Sequence, residues 1–312
     1  MTLSRTDGEP SLDVGRLRTL REVSLRGSIA AAARTLGLTP SAVSQQLTVL
    51  EREAGTRLLD RTSRGVELTG AGLLLCARAD AILDVLAQAR ADLDRLNGAV
   101  HGPLRLATVS SAAATIISDA VLALRTTQPG IAVSVLAAEP AHSLALLHAG
   151  DVDLAVVDEY EAVPFAVPEQ LQAEDLCSEE LVVVAPRGML PAVSVRLAEL
   201  AELDWVMPPG EAACGAAVRA ACRRQGFEPS VRWETDDMLL LERAVAAGHG
   251  VAVLPRLAVA GTAQVDVHAL AEPRITRTLR TLARTGWYDR PVVRAVREAL
   301  VAAAACPPAV SA

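Results

Sequence analysis

The chain has no lysine: all 30 of its basic residues are arginine. That absence excludes the P-loop phosphate cradle, which needs a Gly-Lys pair, Schiff-base chemistry, and phosphoryl transfer built on a kinase-type lysine. Aromatic residues are almost as scarce. There are seven, the first being Tyr160, so the N-terminal half has no rings on which single-stranded bases could stack. Cys76, Cys177, Cys214, Cys222 and Cys306 are odd in number and lack C-x-x-C spacing. They form neither a disulfide framework nor a zinc site, and they fit a reducing compartment. His101, His142, His148, His249 and His268 are scattered without metal-ligand spacing, and there is no Gly-x-Ser-x-Gly elbow. No run of 18 uninterrupted apolar residues occurs, and residues 1–11 are polar, without a signal-peptide apolar core. The expected setting is the cytoplasm, with no membrane partner and no metal.

What is present is a globular composition, 51% apolar and 21% charged, long enough at 312 residues for two domains. The net charge of -7 hides a segregation. Residues 14–65 hold nine Arg against four acids, while residues 71–312 hold 20 Arg against 29 acids. An Arg-only basic head on an acidic body is the charge layout of a small anion-seeking module.

The head carries the clearest local signals. After a helix with Leu17, Leu20 and Val23 inward, Ser28 is an N-cap before Ile29, Ala32, Ala33 and Leu36, and Gly37 stops that helix. Thr39 caps the next helix with Pro40 at its first position, where a missing N–H costs nothing; Val43, Leu47, Leu50 and Ala54 face inward, and Gly55 ends it. Two helices joined by a three-residue turn containing Gly make a helix-turn-helix, whose second helix enters the DNA major groove by its N-terminal end. Its outward face bears Ser41, Ser44, Gln45, Thr48 and Arg52, types that read base edges and bind phosphates. Any solvated helix face is polar, so the segment that follows matters. Residues 57–62, 63–65 and 66–68 read as strand, turn and strand, a wing with Arg61 and Arg64 near its tip. With Ser28, Thr39 and Pro40, these residues are the expected DNA-contact set.

Thr69 then caps a long helix running to about Asn97, in which Leu75, Ala79, Ile82, Leu86, Ala89, Leu93 and Leu96 recur at alternating steps of four and three. That is a heptad seam, and a seam needs a partner helix. Pairing would give a two-fold dimer with its recognition helices on symmetric half-sites; packing on the helix's own domain is the plainer alternative. His101, Gly102 and Pro103 end the segment as a hinge.

From Leu104 onward, short apolar strands alternate with helices up to a last helix at about 291–305, an α/β pattern with largely parallel sheets in two units. Ligands of open α/β sheets bind outside the carboxyl ends of strands, near helix N-termini. The strand ends single out Ser110, Ser111, Glu139, Pro208, Gly210 and Thr235. Helix starts at Ser110 and Gly210 suit a small organic anion, which Glu139 would oppose if it turned inward. Capping and ordinary loop roles are the plain alternatives. Gly248-His249-Gly250 is no dinucleotide fingerprint, because no third Gly follows at the required place. Cys214 and Cys222 lie eight residues apart on an expected helix, about 12 Å along its axis, too far for a disulfide while the helix stands.

The segments 28–33, 36–47, 50–51, 55–62 and 68–72 closely resemble the N-terminal domain of LysR-type transcriptional regulators, nearly continuously from residue 13 to 72. One departure is Leu59, where the family usually has Phe, a change expected to affect packing more than DNA contact. Residues 246–255 resemble the family's segment before its chain returns to the first subdomain. The resemblance implies a disordered tail at 1–12, a winged helix-turn-helix DNA-binding domain at 13–70, a linker and dimerisation helix at 71–97, a hinge at 98–103, and a periplasmic-binding-protein-like effector-binding domain at 104–305. Subdomain I would comprise about 104–180 and 270–305, and subdomain II about 181–269. It further implies a regulator, not an enzyme, without a cofactor, that binds double-stranded DNA at an imperfect palindromic promoter site. The partners implied are a second copy, a dimer of dimers, a small-molecule effector that alters DNA bending, and RNA polymerase. A peroxide-sensing branch carries a redox Cys pair in the stretch of Cys214 and Cys222, with Cys222 near one position and Cys214 offset. A thiol-based redox-sensing regulator therefore stays open, as does a ligand-binding protein or enzyme using the α/β body.

Overall fold

A computed structural model describes residues 12–62, 65–96, 100–259 and 264–305, and the chain divides into two units, Met1–Leu96 and Asn97–Ala312. The tail at 1–11, the wing-tip residues Ser63 and Arg64, hinge positions 98–99 and Cys306 lie outside the described residues.

In the first unit, short polar side chains at the helix starts and left-handed glycines at the helix ends set the boundaries. Helix α1 (Val14–Arg26) starts at Asp13, whose carboxylate accepts the Arg16 N–H at 3.0 Å, and stops at Gly27. Ser28 Oγ accepts the Ala31 N–H at the start of α2 (Ile29–Leu36), and Thr39 Oγ1 accepts the Ala42 N–H at the start of α3 (Pro40–Ala54). Strands β1 (Leu59–Thr62) and β2 (Gly65–Leu68) form the antiparallel wing. Leu17, Leu20, Val43, Leu47, Leu50 and Leu58 fill the core between them. The long helix α4 (Gly70–Leu96) passes so close to the wing that a Cβ at Gly72 would stand 2.1 Å from the Leu58 carbonyl oxygen.

The heptad reading needs a correction here. Ala79 is fully buried in this unit's own core and Leu75 packs against the same cluster, because the first turns of α4 lie on α1. Arg21 on α1 is also paired with Asp80. The outward apolar stripe begins at Ile82 and continues through Leu86, Ala89 and Leu93, all exposed; the side chain of Leu96 lies outside the description.

The second unit begins with β3 (Gly102–Thr108), α5 (Ser110–Ala112), a π-helical turn (Ala113–Ile117), α6 (Ser118–Thr127), β4 (Ile131–Ala137), α7 (Pro140–Ala149) and β5 (Leu154–Tyr160). Strand β3 pairs in parallel with β4 and β5. The next strand, β6 (Leu171–Pro186), runs through both halves. It is followed by β7 (Ser194–Val195), β8 (Asp204–Met207), α8 (Ala213–Arg224), β9 (Ser230–Glu234), α9 (Met238–Ala246), β10 (Ala252–Pro255) and β11 (Val265–Leu270), and then by β12 (Thr276–Arg284) and α10 (Pro291–Ala304). Up to Glu180, β6 pairs antiparallel with β12; from Leu181 it pairs antiparallel with β10 and β11. The sheet order is β4-β3-β5-β12-β6-β11-β7, with β10 on β6, while β8 and β9 form a separate parallel pair.

The sheets are therefore mixed rather than largely parallel. The chain leaves the first half along β6 and comes back along β12, and an outward and a return strand lying side by side must run in opposite directions. Leu104, Leu106, Ile116, Leu279 and Val296 pack the first half, and Leu181, Val183, Trp205, Val218 and Val253 the second. The Gly-x-Gly motif works as a tight turn. Gly250 has φ 147° and its absent side chain lets it approach the Asp204 carbonyl, setting Val251 against Trp205.

Candidate functional site

Two surfaces follow from this framework, one in each unit. In the first, Pro40, Ser41, Gln45, Thr48 and Arg52 are exposed along one face of α3, with Ser44 half-buried between them. The buried stripe of Val43, Leu47 and Leu50 fixes that face outward. Acids that would repel a phosphate backbone are engaged elsewhere. Glu53 pairs with Arg16, Glu22 with Arg21 and Arg26, and Glu51 Oε1 accepts the N–H groups of Leu58 and Leu59 at 2.9 and 3.3 Å. Glu51 thereby ties the wing to α3, a role hidden in a sequence where it reads as one more surface charge. Ser28 and Thr39 are spent on capping, and Leu59 packs half-buried on the core, consistent with a packing role. Arg61 and Arg64 lie where no side chain is described.

In the second unit the carboxyl ends of the strands converge on a cleft between the two halves, around a cavity of about 20 Å³. Val109, Ser110 and Ser111 come from the end of β3, Glu139 from the end of β4, and Asp158 and Tyr160 from the end of β5. Pro208, Cys214 and Asp236 face them from the second half, and Arg277 reaches in from β12. Of the expected ligand residues, Ser110, Ser111, Glu139 and Pro208 line the cavity. Gly210 and Thr235 do not. Gly210 lies beside Arg219, and helix α8 starts only at Ala213; Thr235 Oγ1 accepts the Asp237 N–H, leaving the cleft position to Asp236.

Arg277 organises the floor. It is 1% exposed; its Nε donates to Glu179 Oε1 at 2.8 Å, one terminal nitrogen also meets Glu179, and the other donates to Ser111 Oγ at 2.7 Å and stands 3.7 Å from Asp158 Oδ2. Burial works against its charge, but the facing Tyr160 oxygen, Glu179 and Asp158 outweigh it and hold its pKa above the ordinary value. Tyr160 donates to Asp158 Oδ2 at 3.0 Å. Burial pushes the Asp158 carboxyl up despite Arg277 and Tyr160. Glu139 is raised as well, by burial of its inner side and then by Asp158 and Asp236, against the pull of the Ala213 N–H at the start of α8. The lining carries more acid than the expected organic anion calls for. Glu139 lines the space from its exposed rim, three carboxylates border it, and the guanidinium that would attract an anion already pairs with Glu179 and Ser111.

Neither thiol of α8 is exposed. Cys214 and Cys222 are both buried on α8, and burial pushes each thiol up to about 12. His249 stacks on Trp233 at 5.1 Å, away from the cleft lining. Among the described residues no group of three or more His, Cys, Asp or Glu is placed to hold a metal, and no helix is long and apolar enough to cross a membrane. A larger cavity of about 620 Å³ lies along the crossing strands, lined by Ile116, Cys177, Leu181, Val182, Leu257 and Ala304. Its size exceeds that of the cleft, but it runs along the middle of β6, from Cys177 to Val182, and not at the carboxyl ends of β3, β4 and β5.

Comparison with known proteins covers most of the chain. Residues 14–73 match the bacterial regulatory helix-turn-helix family of lysR type, and residues 97–305 match the LysR substrate binding domain. The nitrogen assimilation regulatory protein nac of Klebsiella aerogenes is 28% identical over 93% of this chain and 94% of that protein. Its Escherichia coli namesake is 31% identical over 78% of each. Among solved structures, a full-length variant of OxyR from Pseudomonas aeruginosa superposes with a TM-score of 0.71 at 20% identity, covering 96% of both chains. Full-length CbnR in complex with its target DNA gives 0.55 at 20% identity, covering 94% of this chain and 99% of that one.

Proposed function

The chain belongs to the LysR family of transcriptional regulators, with a DNA-binding head and an effector-binding domain, and from that premise we propose which of its residues carry each role. The face of α3 formed by Pro40, Ser41, Ser44, Gln45, Thr48 and Arg52 enters the major groove of an imperfect palindrome, with Arg61 and Arg64 of the wing on flanking phosphates. The observation that carries this reading is the exposure of that polar face in a unit where Glu53, Glu22 and Glu51 are engaged with Arg16, Arg21, Arg26 and the wing backbone. The stripe of Ile82, Leu86, Ala89 and Leu93 pairs two chains, and two dimers assemble on DNA. A small molecule in the cleft between the two halves of the effector unit biases that assembly, changes the bend and is read out through RNA polymerase, in the cytoplasm.

Footprinting and binding over a salt series test the head. Binding should weaken steeply as salt rises, because each arginine–phosphate contact releases counterions. Gln45→Ala should relax preference at one or two base positions, costing about 1–3 kcal/mol there, whereas Arg52→Ala should weaken all sequences alike. Affinity that ignores salt, or a Gln45→Ala variant with an unchanged base profile, contradicts the assignment.

A further inference from the structure

We propose that the cleft takes a cation bearing N–H donors, a primary ammonium group on a small organic molecule; this rests on reading the cleft as the effector site. The observation is Asp158. Its side chain is 6% exposed and lines the cavity, Oδ2 accepts from Tyr160, and Oδ1 is buried without any hydrogen-bond partner. A buried acceptor left unmade is costly, and an acceptor-only carboxylate is satisfied by a donor. Arg277 approaches the other oxygen, its nearer terminal nitrogen standing 3.7 Å from Oδ2, so it does not supply the donor that Oδ1 lacks.

Charge and size select among the donors. Glu139 and Asp236 stand at the exposed mouth and Asp158 at the base, so an entering cation meets acids along its path. An entering carboxylate meets the same acids, finds Arg277 engaged, and finds the N-terminus of α8 already facing Glu139. The cavity of about 20 Å³ admits one group the size of a water molecule. An ammonium head has that size and offers three donors; a guanidinium is larger, and a quaternary ammonium has no donor at all. Val109, Met238 and Pro255 add apolar wall for a short carbon chain leading outward.

Calorimetric titration of the full chain at fixed ionic strength tests this with methylammonium, n-propylammonium and ethanolammonium, against tetramethylammonium and against acetate, butyrate and glycolate. The expected result is binding of the primary ammonium ions alone. It should weaken about tenfold or more in Asp158→Asn, as for loss of a hydrogen bond to a charged group, and measurably in the mouth variant Glu139→Gln. Far-UV circular dichroism and DNA binding of each variant show that it is folded. Amine binding unaltered in both variants would overturn the proposal, as would binding of tetramethylammonium equal to that of methylammonium. Binding of the carboxylates instead, lost in Ser111→Ala, would overturn the cation assignment and leave the cleft as the effector site. If no probe binds, the space at Asp158 holds water and the proposal fails. If, in addition, no cleft substitution alters the DNA footprint, the effector-site reading fails with it.

Discussion

Replacing Arg277 by Met keeps most of the stem volume and removes the charge that Asp158 and Glu179 share. The three side chains are 2%, 6% and 13% exposed, so little water can enter to replace the guanidinium. Removing one member of such a group leaves uncompensated buried charge, at a cost of about 3–5 kcal/mol. With a urea m-value of roughly 2–3 kcal/mol/M for a unit of this size, the midpoint should fall by about 1–2.5 M. Tryptophan fluorescence reads the effector unit alone, since Trp205, Trp233 and Trp287 all lie there and the head has none. The pH dependence has a definite sign. Burial already raises the Asp158 carboxyl above its unfolded value, and losing Arg277 raises it further. A carboxyl with a raised folded-state pKa penalises the fold when ionised, so the cost of Arg277→Met is full at pH 8 and shrinks as pH falls through the raised pKa toward the unfolded value near 4. The triple variant Arg277→Met, Asp158→Asn, Glu179→Gln should recover most of the loss, because neutral partners need no counter-charge. A cost below about 1 kcal/mol at pH 8, or one that stays the same at pH 5, would refute this account of the cleft floor.

The other predictions concern the thiols and the long helix. With Cys214 and Cys222 pushed up to about 12, their thiolate fraction near neutral pH is roughly a thousandfold below that of a free cysteine of pKa 8.5. Both should stay unmodified when the folded chain is treated with peroxide or iodoacetamide and its intact mass followed, and DNA binding should persist; rapid modification at either position revives the thiol-switch alternative. Ile82→Asp and Leu86→Asp change residues 37% and 47% exposed in the single chain, so unfolding of the head should move by less than about 1 kcal/mol. Sedimentation should nonetheless show loss of the dimer, and an unchanged mass would remove the seam from the assembly interface.

The elements read best from sequence are those fixed by neighbours in the chain. Ser28, Thr39, Gly37 and Gly55 mark helix ends because capping is a matter of three or four residues, and they stand where their chemistry places them. Glu139 and Ser111 were legible because each lies within three residues of a strand end. Asp158 and Tyr160 were not, since the apolar run of β5 stops at Val157 while pairing with β12 carries the strand on to Tyr160. Arg277 was out of reach for the same reason. It comes to Ser111 from 166 residues away, on a strand whose partners only the fold reveals. Ala79 shows a further limit: a heptad spacing is the same whether the facing surface is a second chain or α1, and periodicity alone cannot tell them apart.

The geometry of the effector unit also restricts how a ligand can act. A cavity of about 20 Å³ holds no more than the head group of a ligand, so a bulkier metabolite enters only if the two halves part. Glu139 from the first half and Cys214 of α8 from the second line the cavity together, and β6 is the strand that runs from one half into the other, with β12 beside its first part. Arg277 lies on β12 itself, bonded to Glu179 on β6 and to Ser111 at the end of β3. A charge arriving at Asp158 is thus felt at the crossing strands through one guanidinium. The ligand shifts the balance between open and closed forms only by the difference in its affinity for the two. Asp158 Oδ1 has no partner in the arrangement observed, so a ligand that supplies a donor there would favour this arrangement over one in which water reaches that oxygen.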